Sequence, residues 1–322
     1  MRQNKLVSVI IPAYNKAEYT LLTIKSVIKQ TYKPIEIIVV DDGSTDNTKK
    51  ILEDFSDKIK YIYQENSGAS SARNLGTKKA TGSYLAYLDC DDLYYPDKIK
   101  NSIEVLEKNK DYDFLYTNVD QIDETNKIVG EFPDILVHGK TGLIFEDLFL
   151  QNFICNSTLV IRKSCINKSG YFDEKIFVPA DWDFLLRLSQ NHQGFYLPDK
   201  LTGYRIVDQS TFNQLDTVVD EYIYVIKKNF NSYKKLSKKK LNNSFANAYY
   251  LHAKNFAAKG NINRSRELFF RSIIHAINHP KLFKMIVGYL MCILLPKNIV
   301  INFFRKKQIF NSWLNIKKKI LV

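Results

Sequence analysis

An apolar run, Tyr84-Leu85-Ala86-Tyr87-Leu88, stops on Asp89-Cys90-Asp91-Asp92. A buried strand that ends this way delivers hard oxygen donors to the edge of a sheet, where a divalent cation bridging a diphosphate can sit. Two other apolar runs behave alike: residues 35–40 end on Asp41-Asp42-Gly43-Ser44-Thr45-Asp46, and residues 7–11 end on Pro12-Ala13-Tyr14-Asn15. Three strands therefore bring polar groups to one edge.

Val- and Ile-rich runs alternate with segments of helical period up to about residue 110, which predicts an α/β fold with a mostly parallel, Rossmann-like sheet covered by helices on both faces. The expected strands cover residues 6–12, 35–40, 59–64 and 83–89. Helical spacing falls between them, at Tyr19, Leu22, Ile24, Val27 and Ile28, then over 47–55 and 70–80. From 111 to 226 the pattern is mixed: strands at 114–118, 127–132 and 157–161, helices over 141–150 and from Asp181 onward, and short strands at 194–197 and 201–206. Beyond residue 214 every segment reads as helix. Residues 253–261 and 264–277 form a helix pair with a glycine turn at Gly260 and a stop at Pro280. The domain boundaries expected from this are 1–215 for the catalytic domain, 216–280 for a helical extension and 281–322 for a basic amphipathic tail.

Charge divides the chain in the same place. Residues 1–226 carry 33 acidic and 26 basic side chains, whereas residues 227–322 carry 21 basic ones and a single acid, Glu267. A basic rear behind a mildly acidic front points to an anionic partner. The apolar run at 285–295 is too short to span a bilayer and is flanked by Lys281, Lys284, Lys297, Arg305, Lys306 and Lys307, with Lys317–Lys319 beyond. That combination reads as an interfacial anchor on an anionic membrane surface rather than as a nucleic-acid binder; the bland alternative is a buried terminal helix with a solvated basic face. The four cysteines show no CxxC spacing, which fits reduced thiols. The N-terminal residues enter a strand directly, without the apolar stretch and cleavage site of a signal peptide. The expectation is a cytoplasmic protein, peripherally associated with the inner face of the cell membrane.

Each motif has a structural reading beside the chemical one. An Asp-x-Asp triplet is commonly a turn, yet three carboxylates at one strand end repel unless positive charge compensates, so Asp91 and Asp89 are the candidate ligands of Mn2+ or Mg2+. Asp41 and Asp42 either shape a turn or accept hydrogen bonds from a base or ribose, and Asp46 reads as the cap of the next helix. Gly68-Ala69-Ser70-Ser71-Ala72-Arg73 opens a helix with small residues, letting a phosphate approach while Arg73 pairs with it. Asp181 can cap its helix or deprotonate an incoming hydroxyl. Arg205 ends a short strand, either in a surface ion pair or free to close over phosphates.

Taken in order and spacing, the motifs at 7–15, 40–46, 68–74 and 87–92 strongly resemble the family 2 glycosyltransferases, which have the GT-A fold; the resemblance covers residues 5–210. It implies a nucleotide-sugar donor, usually UDP-linked, a glycan or lipid-linked glycan acceptor, and inversion at the anomeric carbon. It places Pro12 and Tyr14 beside the uracil, Asp42 or Asp41 on base or ribose, Arg73 on the donor, Asp91 with Asp89 on the metal, and Asp181 as general base. Two positions depart from the family pattern. Ala180 stands where the first residue of an acidic pair is expected, and Val207 where His is frequent. These departures support an alternative of a different class, a catalytically silent sugar-nucleotide-binding or scaffold subunit. A nucleotidyltransferase would place a Gly-rich, Lys- or Arg-bearing loop after the first strand, where this chain has Pro12-Ala13-Tyr14-Asn15.

Overall fold

The Val- and Ile-rich runs become strands because nearly every one of their side chains is covered. In the computed structural model, which describes residues 4–131, 139–206 and 215–305, β1 (Val7–Ala13) is buried at all seven positions. It lies between β2 (Ile35–Asp42) and β4 (Tyr84–Tyr87), with β3 (Lys60–Gln64) beyond β2, and all four run parallel. Val7, Val9 and Ile11 face α1 (Ala17–Ile28) and α4 (Lys98–Lys108) through Ile24, Val27, Ile99 and Ile103. On the opposite face α3 (Ala69–Lys79) comes so near that a Cβ on Gly76 would lie 2.6 Å from Ile10 Cγ2. Both faces are thus filled, as a parallel sheet requires.

The sheet continues from β4 through β8 (Val160–Arg162), β6 (Phe114–Ile122) and β9 (Gly194–Arg205) to β5 (Leu93–Tyr94), with β7 (Ile128–Glu131) paired to β6. Strand β8 is antiparallel to both β4 and β6, and β6 is parallel to β9, so β1, β2, β4, β6 and β9 all point their C-terminal ends at one edge.

Three expectations for the mixed region shift. The helix expected over 141–150 starts only at α5 (Phe145–Leu150), because Gly142, at φ +102, exchanges backbone hydrogen bonds with Gly194. The strand expected over 157–161 begins as a 3-10 turn, Asn156–Thr158. The two short strands at 194–197 and 201–206 are one: β9 runs parallel to β6 along its length, its register shifting at Pro198 and Asp199, where proline has no N–H to donate, and again at Leu201.

Residues 4–131, 139–144 and 153–206 form one compact unit; 145–152 and 215–305 form a second. The second is helical: α5, α8 (Leu215–Ser232), α9 (Lys238–Ala258), α10 (Ile262–His275) and α11 (Leu282–Leu294), with residues 297–305 also helical. The glycine turn after α9 is a Schellman cap, in which Asn261 N–H reaches Phe256 O and Gly260 N–H reaches Ala257 O, with Gly260 at φ +84. Helix α5 is tied to α9, since Ser244 Oγ donates to Phe149 O at 2.7 Å and Asn247 Nδ2 to Leu150 O at 3.1 Å. Helix α11 lies against α10 where Gly288 meets Phe269; a Cβ there would be 2.5 Å from the ring.

Gly43 turns the chain out of β2 at φ +80, and a Cβ on it would sit 2.7 Å from the backbone nitrogen of Asn66. Gly43→Ala is expected to cost about 1–3 kcal/mol of stability, seen as a lower denaturant midpoint at unchanged slope.

Candidate active site

At the shared C-terminal edge, the loops after β1 and β2 are locked together. Asn15, held at φ +49, accepts from Thr45 N–H at 2.7 Å, and its own N–H donates to Ser44 Oγ at 3.0 Å. Asp46 is the cap the sequence suggests, and it serves two helices: its carboxylate accepts from Ala17 N–H at 3.1 Å, at the start of α1, and from Thr48 N–H at 2.9 Å, at the start of α2 (Thr48–Glu53). Pro12 is buried beneath this junction, while Tyr14 stands out of it, 46 % exposed.

Asp41 and Asp42 are 1 % and 3 % exposed and already hydrogen-bonded. Asp41 accepts from Tyr61 Oη at 2.6 Å and Ser44 N–H at 2.9 Å. Asp42 accepts from Gln64 Nε2 at 2.6 Å and from the Ser67 and Gly68 N–H groups at 2.9 and 2.8 Å. These carboxylates shape the two loops that open α2 and α3.

The Asp89–Asp92 turn answers the repulsion problem with the chain's own cations. Arg73 Nη2 pairs with Asp89 Oδ1 at 2.6 Å, and Lys16 Nζ with Asp91 Oδ2 at 2.5 Å. Burial pulls both cations down, but the neighbouring carboxylates outweigh it and raise their pKa values. Asp92 is buried and pushed well above the usual carboxylate range by desolvation and by the charges of Asp91 and Asp89. It accepts from Ser157 Oγ at 2.5 Å and from Arg205 N–H at 2.9 Å; the same Ser157 oxygen accepts from Asp89 N–H at 3.1 Å. The 3-10 turn that carries Ser157 is held from below by fully buried Lys98, whose ammonium donates to Thr158 O at 2.7 Å and is lowered to about 7 by desolvation.

Arg205 is not free to close over phosphates. It is 3 % exposed, lies 4.9 Å from the Tyr19 ring centroid, and its guanidinium donates to Asp91 O, Asp123 O and Asn126 Oδ1 at 2.8, 2.5 and 2.6 Å. It clamps the carboxylate turn to the β6–β7 hairpin. The neighbouring Val207 and Asp208 lie outside the described residues.

Asp181 is reached through α3. Asn74 donates to Phe172 O at 3.0 Å and accepts from Phe172 N–H at 2.9 Å, and Phe172 stacks on Phe184 at 4.3 Å in α7 (Ala180–Asn191). Arg73 lies 5.5 Å from the Phe172 ring centroid. This brings half-buried Asp181, in the first turn of α7, close to Arg73 and Asp89. Burial lifts its carboxyl to about 6, Arg73 holds it down and Asp89 adds to the rise. Its neighbour Asp183 is buried and pairs with Arg187 at 2.9 Å, so of the two only Asp181 is placed for chemistry.

The edge therefore assembles Pro12, Tyr14, Arg73, Asp89, Asp91 and Asp181. Asp89 Oδ2 and Asp91 Oδ1 take no hydrogen bond from the chain among the described residues, so two hard oxygens suited to a divalent cation remain. Sequence reasoning missed Lys16 and Ser157. Lys16 had a signal, being a cation just past a loop already placed at this edge; Ser157 had none. At the opposite edge Asp113, Cys165 and His192 gather with ligand atoms within 4.8 Å, His192 Nδ1 lying 3.0 Å from Asp113 Oδ2; they tie together the starts of β6 and β9.

Residues 8–169 match the model of the family described as Glycosyl transferase family 2. An uncharacterized glycosyltransferase of Rickettsia typhi is 38 % identical over 228 residues, covering 69 % of this chain and 71 % of the relative. Among solved structures, residues 1–349 of Staphylococcus aureus TarS in complex with UDP-GlcNAc align with a TM-score of 0.66 at 18 % identity, covering 95 % of this chain and 89 % of that one. The mannosyltransferase PcManGT of Pyrobaculum calidifontis, in complex with GDP-Man and Mn2+, aligns with a TM-score of 0.60 at 14 % identity, covering 97 % and 87 %.

If Arg205 is a clamp, Arg205→Lys is expected to destabilise by about 2 kcal/mol or more, because one ammonium cannot serve three acceptors. Chemical unfolding measures this; a variant of wild-type stability that has lost only affinity for nucleotide would return Arg205 to a phosphate role.

Proposed function

Because this chain belongs to glycosyl transferase family 2, and is a glycosyltransferase of GT-A fold, we propose that it inverts the anomeric carbon of a nucleoside-diphosphate sugar, UDP-linked, in transferring it to a hydroxyl of a glycan or lipid-linked glycan. The observation that carries this reading is the juxtaposition of Asp181, a carboxyl lifted to about 6, with the Arg73–Asp89 and Lys16–Asp91 pairs at one sheet edge. The UDP-GlcNAc bound by TarS and the Mn2+ bound by PcManGT support the choice of donor and ion.

In this reading Pro12 and Tyr14 border the base, and the loops shaped by Asp41 and Asp42 present the ribose side of the pocket. Asp89 and Asp91 would hold Mn2+ or Mg2+, which supplies positive charge against the departing diphosphate. Arg73 lies beside Asp89 and adds a fixed cation on the donor side. Asp181 accepts the proton of the incoming hydroxyl as that oxygen forms a bond to the anomeric carbon. The bond to the diphosphate oxygen breaks on the opposite face, and the configuration inverts in a single displacement. A base with a pKa about one unit below neutral is ionised at pH 7 yet still basic enough to take that proton. The acceptor belongs to surface polysaccharide synthesis in this reading, presented at the cytoplasmic side of an anionic membrane.

A panel of UDP-, GDP- and dTDP-sugars should give Mn2+-dependent thermal stabilisation with the UDP class only, and Asp91→Asn should abolish it. No response from any donor would instead support a silent scaffold subunit.

Asp181→Asn is expected to lower turnover by roughly 10²–10⁴-fold while leaving donor stabilisation intact. Since only ionised Asp181 can act, wild-type activity falls as pH drops through about 6. An activity that stays flat down to pH 5 would remove Asp181 from the role of base.

A further inference from the structure

Helix α11 is amphipathic in the inverted sense. Met285, Gly288 and Cys292, spaced i, i+3, i+7, turn toward the interior of the helical unit. The face on the far side of the helix is wholly apolar: Phe283, Ile286, Val287, Leu290, Ile293 and Leu294 are between 37 % and 75 % exposed. The patch does not stop at the helix edge. Phe270 of α10, 50 % exposed, lies with its ring 5.9 Å from that of Tyr289, and Ile274 and Ile277 extend it at 55 % and 73 %. Ile299 and Phe303 of the helical stretch 297–305 add two more exposed apolar side chains. An isolated exposed leucine needs no explanation, but a dense set across neighbouring helices exceeds what a soluble monomer ordinarily shows.

We infer that this composite face of α10, α11 and residues 297–305 docks the helical unit onto an anionic lipid surface. Charge decides the occupant. Lys284, Lys297 and Arg305 are exposed on these helices, within a segment that has 21 basic side chains and one acid. Protein-binding patches are depleted in lysine, whereas a headgroup layer draws lysine and arginine to the rim of an inserted apolar face. The length agrees as well. Among the described residues no helix is long and apolar enough to cross a membrane, and the 13 residues of α11 measure only about 20 Å, which suits a helix lying in the interface.

This rests on the membrane-surface part of the function proposed above and deepens it: the contact is not the terminal tail alone, because α10 contributes Phe270 and Ile274, and the turn after it Ile277. Lys306, Lys307 and Lys317–Lys319 lie outside the described residues and are not needed for it. Removing everything beyond residue 280 would strip Gly288 from Phe269 and uncover the interior of the unit, so point substitutions on the full chain are the cleaner test.

The experiment is co-sedimentation of the full-length protein with vesicles of phosphatidylcholine alone and of phosphatidylcholine with 30 % phosphatidylglycerol. Wild type should partition onto the anionic vesicles and not the neutral ones. Phe283→Glu/Leu294→Glu should lower that partition at least tenfold with unchanged circular dichroism and melting temperature. Lys284→Gln/Lys297→Gln should lower it several-fold per lysine removed and flatten its salt dependence. Equal binding to both vesicle types, or undiminished binding by the glutamate variant, overturns the inference. So does a wild-type dimer that the glutamate variant turns monomeric while neither binds vesicles, since a second copy would then be the occupant. Donor-induced thermal stabilisation, followed in the same variants, should not change; its loss in wild type would count against the donor site and not against the lipid face.

Discussion

Crowding of negative charge at the end of β4 is the constraint around which the rest of the candidate site is built. Asp89, Asp91 and Asp92 occupy three of four consecutive positions, and each is neutralised by a different device: an arginine from α3, a lysine from the start of α1, and burial with two hydrogen bonds for Asp92. Each device recruits a separate element to the same edge. Arg73 brings α3 and, through Phe172, the start of α7; Lys16 brings the loop after β1; Ser157 brings the 3-10 turn before β8; and Arg205 brings the end of β9 and the β6–β7 hairpin. The compensation is therefore also the scaffold.

What could be read from the sequence follows from how local the signal is. Alternating apolar runs mark buried parallel strands wherever both faces are covered, which is why β1 to β4 and their shared edge were legible together with the carboxylates they carry. The mixed half was harder because its boundaries depend on partners far along the chain. Gly142 leaves the helix pattern to pair with Gly194, and Pro198 interrupts a ladder without ending the strand. Arg205 illustrates the same limit at the level of a single side chain: an arginine at a strand end looks available until the carbonyls of Asp91 and Asp123, 114 and 82 residues away, are seen to be waiting for it. Asp41 and Asp42 sit where the motif puts them, but their hydrogen bonds go to loop amides that no spacing rule specifies.

The helical unit shows the complementary case. Its turn chemistry was explicit, with Gly260 closing α9 and Pro280 ahead of α11. The meaning of its apolar residues was not, because a helix that is apolar over most of its circumference gives no hint of which side is covered. Only its tertiary contacts, Met285 against Ala246 and Ala276, Gly288 against Phe269 and Cys292 against Ser265, separate the packed face of α11 from the exposed one.

The cross-linking of the loops after β1 and β2 has a thermodynamic consequence. Because Asn15 and Asp46 bind the two loops to each other and to the starts of two helices, the wall on either side of Tyr14 is already rigid before anything lands on it. A ligand settling there immobilises one or two side chains at roughly 0.5–1.5 kcal/mol each, rather than ordering whole loops. Preorganisation of this kind keeps the entropic penalty of recognition small, so that even weak polar contacts made at this wall count almost in full toward affinity.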